Sequence, residues 1–208
     1  MPSRFLTSPL VEQYQRYRTA GRKLNHKIID AFMSETVFDA AVRTLELGKK
    51  KHLTLDSEDD LDVLMDYGLY EIPPEGKNLV EHYAAKIGGR NRTERDLLEA
   101  MIRAKTGLFK VEHLLAARYQ LSLRELTDGN RLLSVIDIGF SQSSVESYVF
   151  FFRPIELAKF TMTSGIAFVF PAEMERELIE RWEQWDRSDR YVQCFKLNKR
   201  KGIPVAFE

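Results

Sequence analysis

The sequence contains a single cysteine, Cys194, among its 208 residues. One thiol excludes a disulfide framework within the chain and any zinc site built from several cysteines. The sequence also lacks the run of about 18 apolar residues that a membrane-spanning helix needs. Its strongest apolar stretch, residues 148–152, ends at Arg153. Because residues 1–9 have no apolar core of the signal-peptide type, we expect a cytoplasmic, reducing location and no membrane partner.

The chain has no net charge, because 31 Lys and Arg residues balance 31 Asp and Glu residues. The two signs are nevertheless segregated along the sequence. Residues 53–76 contain eight acidic residues and no Lys or Arg, whereas residues 1–52 carry an excess of basic residues. Such blocks either form oppositely charged surfaces or neutralise each other within the fold. Both alternatives stay open here.

Standard catalytic and nucleotide-binding motifs are missing, including the P-loop, G-x-G-x-x-G and H-E-x-x-H. Residues 135–143 resemble the nucleophile elbow of α/β-hydrolases, with Ser141 in the place of the nucleophile. However, Ser143 replaces the last glycine, and all four histidines precede Ser141, whereas the triad of that fold ends with histidine. The sequence therefore predicts no catalytic residue and no cofactor.

Helical spacing dominates the first half of the chain. Ser8 and Pro9 form a typical helix start, and apolar residues then recur at helical intervals up to Phe32. Gly21 is a possible break in this helix. Further helix starts and stops follow as far as Gly107.

The segment after Gly107 is rich in β-branched and aromatic residues. Period-two patterns and turn signals predict short strands over residues 119–126, 131–140, 147–152, 157–163 and 166–170. This spacing is typical of a small barrel or rolled antiparallel sheet. A helix over 172–187 follows, and then a hairpin with strands 191–197 and 203–207 around a basic turn. The predicted fold class is α+β, with a helical region 1–106 and a small β-barrel or sheet region 107–208.

Three stretches carry a resemblance to a known group of proteins: Leu121–Gly129, Phe152–Leu157 and Met162–Gly165. On these stretches, residues 107–171 resemble a small barrel segment of uncharacterised bacterial proteins, some of which carry a cysteine-rich SEC-C zinc tail. The resemblance implies a barrel and no activity. Because this chain has no cysteine-rich tail, the resemblance does not imply zinc.

Two groups of basic residues are candidates for binding nucleic acid. Arg16, Lys23 and Lys27 share one face of the first helix, away from its apolar stripe. The second group, in the predicted C-terminal turn, consists of Lys199, Arg200 and Lys201. Spaced cations suit phosphate backbones, and small barrels often bind single strands. Against this function, the isoelectric point is 6.9 and the sequence has no RNP motif.

The acidic segment predicts an amphipathic helix. Asp59, Asp62 and Asp66 fall on one face at helical spacing, which indicates a solvated face or a docking surface for a partner. A hard-cation site is the alternative, because magnesium and calcium prefer oxygen ligands. The EF-hand pattern fails, since its glycine and its last glutamate are missing. We therefore predict no metal site.

Trp182 and Trp185 lie three residues apart on the predicted C-terminal helix. Their stripe either packs on the protein's own sheet or anchors a partner or a second copy, because tryptophan is favoured at such surfaces. Three functions remain open. The first is a non-catalytic interaction or assembly protein, with a protein partner or self-association. The second is a nucleic-acid-binding protein, and the third is an enzyme whose site is assembled from distant residues.

Overall fold

The computed structural model of the chain describes residues 8–49, 52–53, 55, 57, 59–143 and 146–204. Parts of two predictions lie outside the described residues. These are the start of the chain at 1–7 and the end of the last predicted strand at 205–207.

Helices form the N-terminal half, as predicted. They are α1 (Pro9–Phe32), α2 (Glu35–Thr44), α3 (Asp59–Tyr70), α4 (Leu79–Lys86) and α5 (Arg92–Arg103). A short antiparallel pair, β1 (Gly48–Lys49) and β2 (His52–Leu53), connects α2 to α3. The Ser8 side chain accepts a hydrogen bond from the Leu10 N–H and so caps α1. Gly21 does not break α1, which is one continuous helix of 24 residues.

Five strands form a closed barrel, which confirms the predicted α+β class. The strands are β3 (Gly107–Leu115), β4 (Gln120–Glu125), β5 (Leu132–Ile136), β6 (Val149–Glu156) and β7 (Thr161–Phe170). Their order around the barrel is β3-β4-β5-β7-β6. All neighbouring strands are antiparallel except β5 and β7, which are parallel and are joined at Val135 and Thr161. This single register position closes the barrel.

Large apolar side chains fill the inside of the barrel. Alternate residues of β6, Phe150 and Phe152, point into it and are 1% exposed. Phe140, on the short helix α6 (Ile138–Ser143), joins them and lies 5.2 Å from the Phe150 ring between ring centres. The barrel is therefore a packed core, and any ligand site has to lie outside it.

Helices cover the outer surface of the barrel. One apolar cluster joins α1, α4 and α5 to Ile155 and Met162 of the barrel. Another joins α3, α7 (Glu175–Gln184) and α8 (Arg190–Lys201) to Phe151 and Phe168. Both clusters contain residues from either side of position 107, so the two regions share their cores. The division at residue 106 stays a prediction about domains.

The predicted C-terminal hairpin is wrong, because residues Arg190–Lys201 form the helix α8. Val192, Cys194 and Lys196 alternate as in a strand. The buried residues of this segment also recur at helical intervals, on the side of α8 that packs against β7. The basic residues 199–201, predicted as a turn, form the last helical turn, where the helix dipole favours cations. Of the second predicted strand, Ile203 forms a single bridge to Val169.

Other strand predictions also differ from the structure. Strand β3 was not predicted, and β6 extends to Glu156 instead of ending at residue 152. The strand predicted over 131–140 ends at Ile136, because Asp137 accepts a hydrogen bond from the Phe140 N–H and starts α6. The strands predicted over 157–163 and 166–170 are one strand, β7. Gly165 allows this continuity, since its φ of +129° is a conformation that other residues rarely adopt.

Candidate functional site

Helix α1 and strand β7 form the walls of a cleft that we call the α1 cleft. It has two adjoining arms, each of about 310 Å³, and Arg18, Arg22 and Gly165 line both arms. The polar arm extends towards α6, and its wall includes Asp137. The apolar arm extends between α1 and α3. Two arginines therefore stand where the arms meet.

A chain of hydrogen bonds fixes one of these arginines. Nη1 of Arg18 donates to the backbone oxygen of Thr163 at 2.9 Å and to its hydroxyl at 3.4 Å. The Thr163 hydroxyl in turn donates to Oδ2 of Asp137 at 2.9 Å. Thr163 and Asp137 are both buried, so these contacts are shielded from water. The Arg18 guanidinium is thus held in place before any ligand arrives.

The apolar arm is lined by aliphatic side chains with polar groups among them. Its apolar residues are Ile29, Leu61, Met65, Leu69 and Ile166. The polar residues are Asn25, His26, Asp62, Asp66 and Ser164, in addition to the two arginines. A mostly apolar surface with a few convergent polar groups is typical of small-molecule sites.

One buried polar atom at the α1 cleft, Oδ1 of Asn25, lacks a hydrogen-bond partner within the part of the chain that the structure describes. A buried polar atom without a partner costs about 1–3 kcal/mol, and natural proteins contain few of them. Asn25 lines the apolar arm, so a bound ligand is one way to satisfy it.

Behind the apolar arm lies a buried cluster of charges centred on Arg153. Nη2 of Arg153 hydrogen-bonds to Glu71 and lies 3.8 Å from Oδ2 of Asp66. The Arg153 guanidinium stacks 3.9 Å from the ring centre of Tyr70. Burial raises the pKa of Asp66, and the nearby Arg153 charge offsets part of that rise. The cluster therefore places a buried carboxyl with an elevated pKa at the wall of the cleft.

A second carboxyl of the apolar arm, that of Asp62, also has a raised pKa. The surrounding protein atoms are the larger cause and the charge of Asp59 the smaller one, while His26 acts in the opposite direction. Acidic groups thus lie along α3, and cationic groups lie on α1 where the arms meet. The electrostatic potential in the α1 cleft is therefore positive at the two arginines and negative beside α3.

The predicted basic residues of α1 lie outside this cleft. Arg16, Lys23 and Lys27 line a second groove of about 580 Å³ between α1 and the start of α5, which we call the α1–α5 groove. It borders the polar arm at Gln15 and Thr19. Within this groove, Nζ of Lys27 already pairs with Glu94 at 2.6 Å. The structure thus brings the three residues together, as their spacing predicted, and uses one of them in an internal ion pair.

The second predicted basic group lies on α8 and pairs with acidic residues of the fold. Nζ of Lys199 contacts Oδ2 of Asp60 at 2.9 Å, and Nζ of Lys201 contacts Glu177 at 3.1 Å. The Arg200 Nε donates to the backbone of its own helix. The charge blocks of the sequence therefore neutralise each other in part, which was one of the two alternatives.

The tryptophan stripe packs on the protein's own barrel. Trp182 is 7% exposed, lies 6.1 Å from the Phe151 ring between ring centres, and is covered by Arg190 at 4.4 Å. Trp185 is partly buried against the same apolar cluster. These contacts remove most of the apolar surface that suggested a partner.

Of the three aspartates predicted on a solvated face, Asp66 is the exception. The prediction that Asp66 faces solvent is wrong, because its side chain is 8% exposed and faces Arg153. The α3 surface that carries Asp66 is covered by β7, which supplies Ser164, and by Tyr191 of α8. For Asp59 and Asp62, binding of a partner stays a prediction.

The contacts of Ser141 and Cys194 are those of residues that support the fold. The Ser141 hydroxyl donates to the backbone oxygen of Ile138 within α6, and no histidine among the described residues lies in hydrogen-bond contact with it. Cys194 is buried in α8, and burial raises the pKa of its thiol. Neither group is therefore an activated nucleophile.

The cleft residues of α1 were missed by the sequence analysis. Arg18, Arg22 and Asn25 recur at helical spacing beside the apolar stripe, so they form a polar stripe of their own. This spacing was the available signal. The partner of Arg18 on β7, Thr163, could not be found in the same way, because it is 145 positions away.

The described part of the chain contains no cluster of three or more His, Cys, Asp or Glu side chains arranged to hold a metal ion. Within the same residues, no helix combines the length and the apolar character required to cross a bilayer.

No curated protein and no solved structure matches the chain. Residues 8–208, which include the whole cleft and the barrel, match the family of unknown function DUF7986. The match covers nearly the entire sequence, and the chain therefore belongs to this family.

Proposed function

We propose that the protein binds a small molecule with an anionic group and an apolar part in the α1 cleft. The observation that carries this proposal is the position of Arg18 and Arg22 where the polar and apolar arms meet. Guanidinium groups bind carboxylates and phosphates strongly, because their donors match the geometry of these anions. The aliphatic side chains of the apolar arm suit the remainder of such a ligand.

The acidic residues of the cleft determine the orientation of the ligand. Asp62 and Asp66 lie along the apolar arm and repel an anion placed there. In the polar arm, the Asp137 carboxylate is already bound by the Thr163 hydroxyl and by the Phe140 N–H. We therefore place the anionic group at the two arginines and the apolar part between α1 and α3.

Four probes test this proposal by isothermal titration calorimetry with the full chain. Octyl phosphate and octanoate combine an anion with an apolar chain, whereas octylamine has the same chain with the opposite charge. Inorganic phosphate carries the anion alone. We expect octyl phosphate and octanoate to bind with a negative change in heat capacity, because their apolar chains are buried. Octylamine and inorganic phosphate should bind more weakly. Tighter binding of octylamine than of octanoate would contradict the proposal.

A pair of neighbouring residues on α1 provides the matched control. Arg22 lines the α1 cleft, whereas Lys23 lines the α1–α5 groove, and both side chains are exposed. We expect Arg22→Ala to weaken octyl phosphate binding about tenfold, because a hydrogen bond to a charged group contributes about 1.5 kcal/mol. Lys23→Ala should leave this affinity unchanged. Equal effects of the two substitutions would place the ligand elsewhere.

Binding of a nucleic-acid strand in the α1–α5 groove is a second candidate function. Its support is the convergence of Arg16, Lys23 and Lys27 on that groove. The test uses oligo-dT and reverses the roles of the two variants, so that Lys23→Ala weakens binding and Arg22→Ala does not. The affinity must also fall as salt is added. A cytoplasmic location and a protein partner or self-association stay predictions from the sequence.

A further inference from the structure

A second large cavity lies on another side of the barrel from α1. It has a volume of about 790 Å³ and is bordered by the end of α5, the β4–β5 turn, β6, and the connection between α7 and α8. We call it the arginine cavity. Five of its lining residues are cationic: Arg103, Lys105, Arg131, Arg187 and Arg190. Three are acidic: Glu125, Asp128 and Glu156.

One arginine already neutralises two of these acids. Nη1 of Arg131 contacts both carboxylate oxygens of Glu156 at 2.9 and 3.0 Å, and its Nε contacts Glu125 at 3.1 Å. The remaining acid, Asp128, is exposed in the β4–β5 turn. The barrel side of the cavity is therefore largely balanced in charge by its own ion pairs.

The helical side of the cavity is not balanced. Within the part of the chain that the structure describes, no ion pair joins a carboxylate to Arg103, Lys105, Arg187 or Arg190. Arg103, Lys105 and Arg187 are exposed, so water stabilises their charges at little cost. Arg190 is different, because it is half-buried.

Arg190 is held in an unusual position for a cation. Its guanidinium stacks on Trp182 with 4.4 Å to the ring centre, and its Nε is buried without a hydrogen-bond acceptor. Burial and the positive charge of Arg187 both lower the pKa of Arg190. The stacking fixes the guanidinium in one orientation, so its remaining donors are organised in advance. The guanidiniums of Arg187 and Arg190 are adjacent and have no carboxylate partner among the described residues, so a bound anion would stabilise both charges.

From this geometry we infer that the arginine cavity binds a phosphate-bearing small molecule, with the phosphate held by Arg187 and Arg190. Phosphate matches the forked donors of two arginines better than a single carboxylate does, since it offers more acceptor oxygens. Arg103 and Lys105 provide further positive charge on the same side of the cavity. The volume is within the range of cavities that hold whole small-molecule ligands. This site shares no lining residue with the α1 cleft.

Inorganic pyrophosphate is the probe, titrated into the full chain by isothermal titration calorimetry. We expect one bound pyrophosphate per chain and an affinity that falls at least fivefold in Arg187→Gln. Because Arg187 is exposed, this substitution does not disturb the core. The matched control is Arg176→Gln, on an exposed arginine of α7 that pairs with Glu180. It should leave the affinity unchanged.

Four results would overturn this inference. The first is the absence of pyrophosphate binding at millimolar concentration. The second is equal weakening by Arg187→Gln and Arg176→Gln, which indicates a general effect of charge. The third is weakening by Arg22→Ala instead of Arg187→Gln, which places the anion in the α1 cleft and supports the proposed function alone. Oligo-dT that binds through Arg187 while pyrophosphate does not would also overturn it, in favour of a nucleic-acid strand.

Discussion

Replacing Arg153 by methionine tests whether this arginine balances the buried carboxyls behind the α1 cleft. Its side chain is 5% exposed and contacts Asp66, Glu71 and the Tyr70 ring. Methionine retains much of the apolar stem and removes the charge. Removing one partner of a buried ion pair costs about 3–5 kcal/mol, because the other charge is left uncompensated. Because the Glu71 side chain is 22% exposed and reaches water, we expect a loss at the lower limit of this range. The free energy of unfolding should fall by about 3 kcal/mol at pH 7.

The loss of stability should depend on pH in a defined direction. In the folded protein, burial raises the pKa of Asp66 above its ordinary value of 3.8, and Arg153 offsets part of this rise. Arg153→Met therefore raises the pKa of Asp66 further. At a pH above the ordinary pKa, the folded state still binds a proton at Asp66 that the unfolded state has released. The free energy of unfolding therefore falls as the pH rises. The destabilisation should thus be larger at pH 7 than at pH 5.

Urea unfolding followed by circular dichroism measures these quantities at both pH values. The double variant Arg153→Met with Asp66→Asn should regain at least about 1 kcal/mol, because the uncompensated charge is gone. Arg176→Met, which disrupts an exposed ion pair, should change the free energy of unfolding by less than about 0.5 kcal/mol. A loss below about 1 kcal/mol in Arg153→Met at pH 7, or an equal loss at both pH values, would refute the reasoning.

Three further substitutions or reactions test other parts of the fold. Gly165→Ala should lower the free energy of unfolding by about 1–2 kcal/mol, because the φ of +129° is strained for alanine, as urea titration can show. Asn78→Ala should cost about 1 kcal/mol by the same assay, since it removes the capping box of α4. Cys194 should react with Ellman's reagent only after unfolding, because its thiol is fully buried and burial raises its pKa. Rapid labelling of the native protein would contradict its position in α8.

Local signals in the sequence predicted the helices of the N-terminal half and the barrel because their physical causes are local. Ser8 and Asn78 cap helices through hydrogen bonds that span two or three residues. Strands β4, β5, β6 and β7 follow, in part or whole, from alternation and turn residues within a few positions, whereas β3 was not predicted. The hairpin prediction failed because the residues of α8 satisfy two periods at once, and only packing against β7 and α3 decides between them.

The candidate sites could not be predicted in the same way, because they depend on distant partners. Asp66 has the spacing of a solvated residue on its own helix, and its burial follows from Arg153 on β6 and Tyr191 on α8. Likewise, nothing near Arg190 in the sequence indicates that Trp182 will hold its guanidinium. Charge patterns within one helix predict which residues share a face, whereas burial depends on what covers that face.

The closure of the barrel has a consequence for the order in which the molecule is assembled. Strands β5 and β7 meet at Val135 and Thr161 only, and close to this seam Thr163 binds both Asp137 and Arg18. Arg18 and Thr163 are 145 positions apart. During synthesis, α1 leaves the ribosome long before β7 exists, so Arg18 has no native partner until β7 is made. The β7 wall of the α1 cleft is therefore added late in folding, and shortening the nascent chain before β7 removes this wall together with the closed barrel.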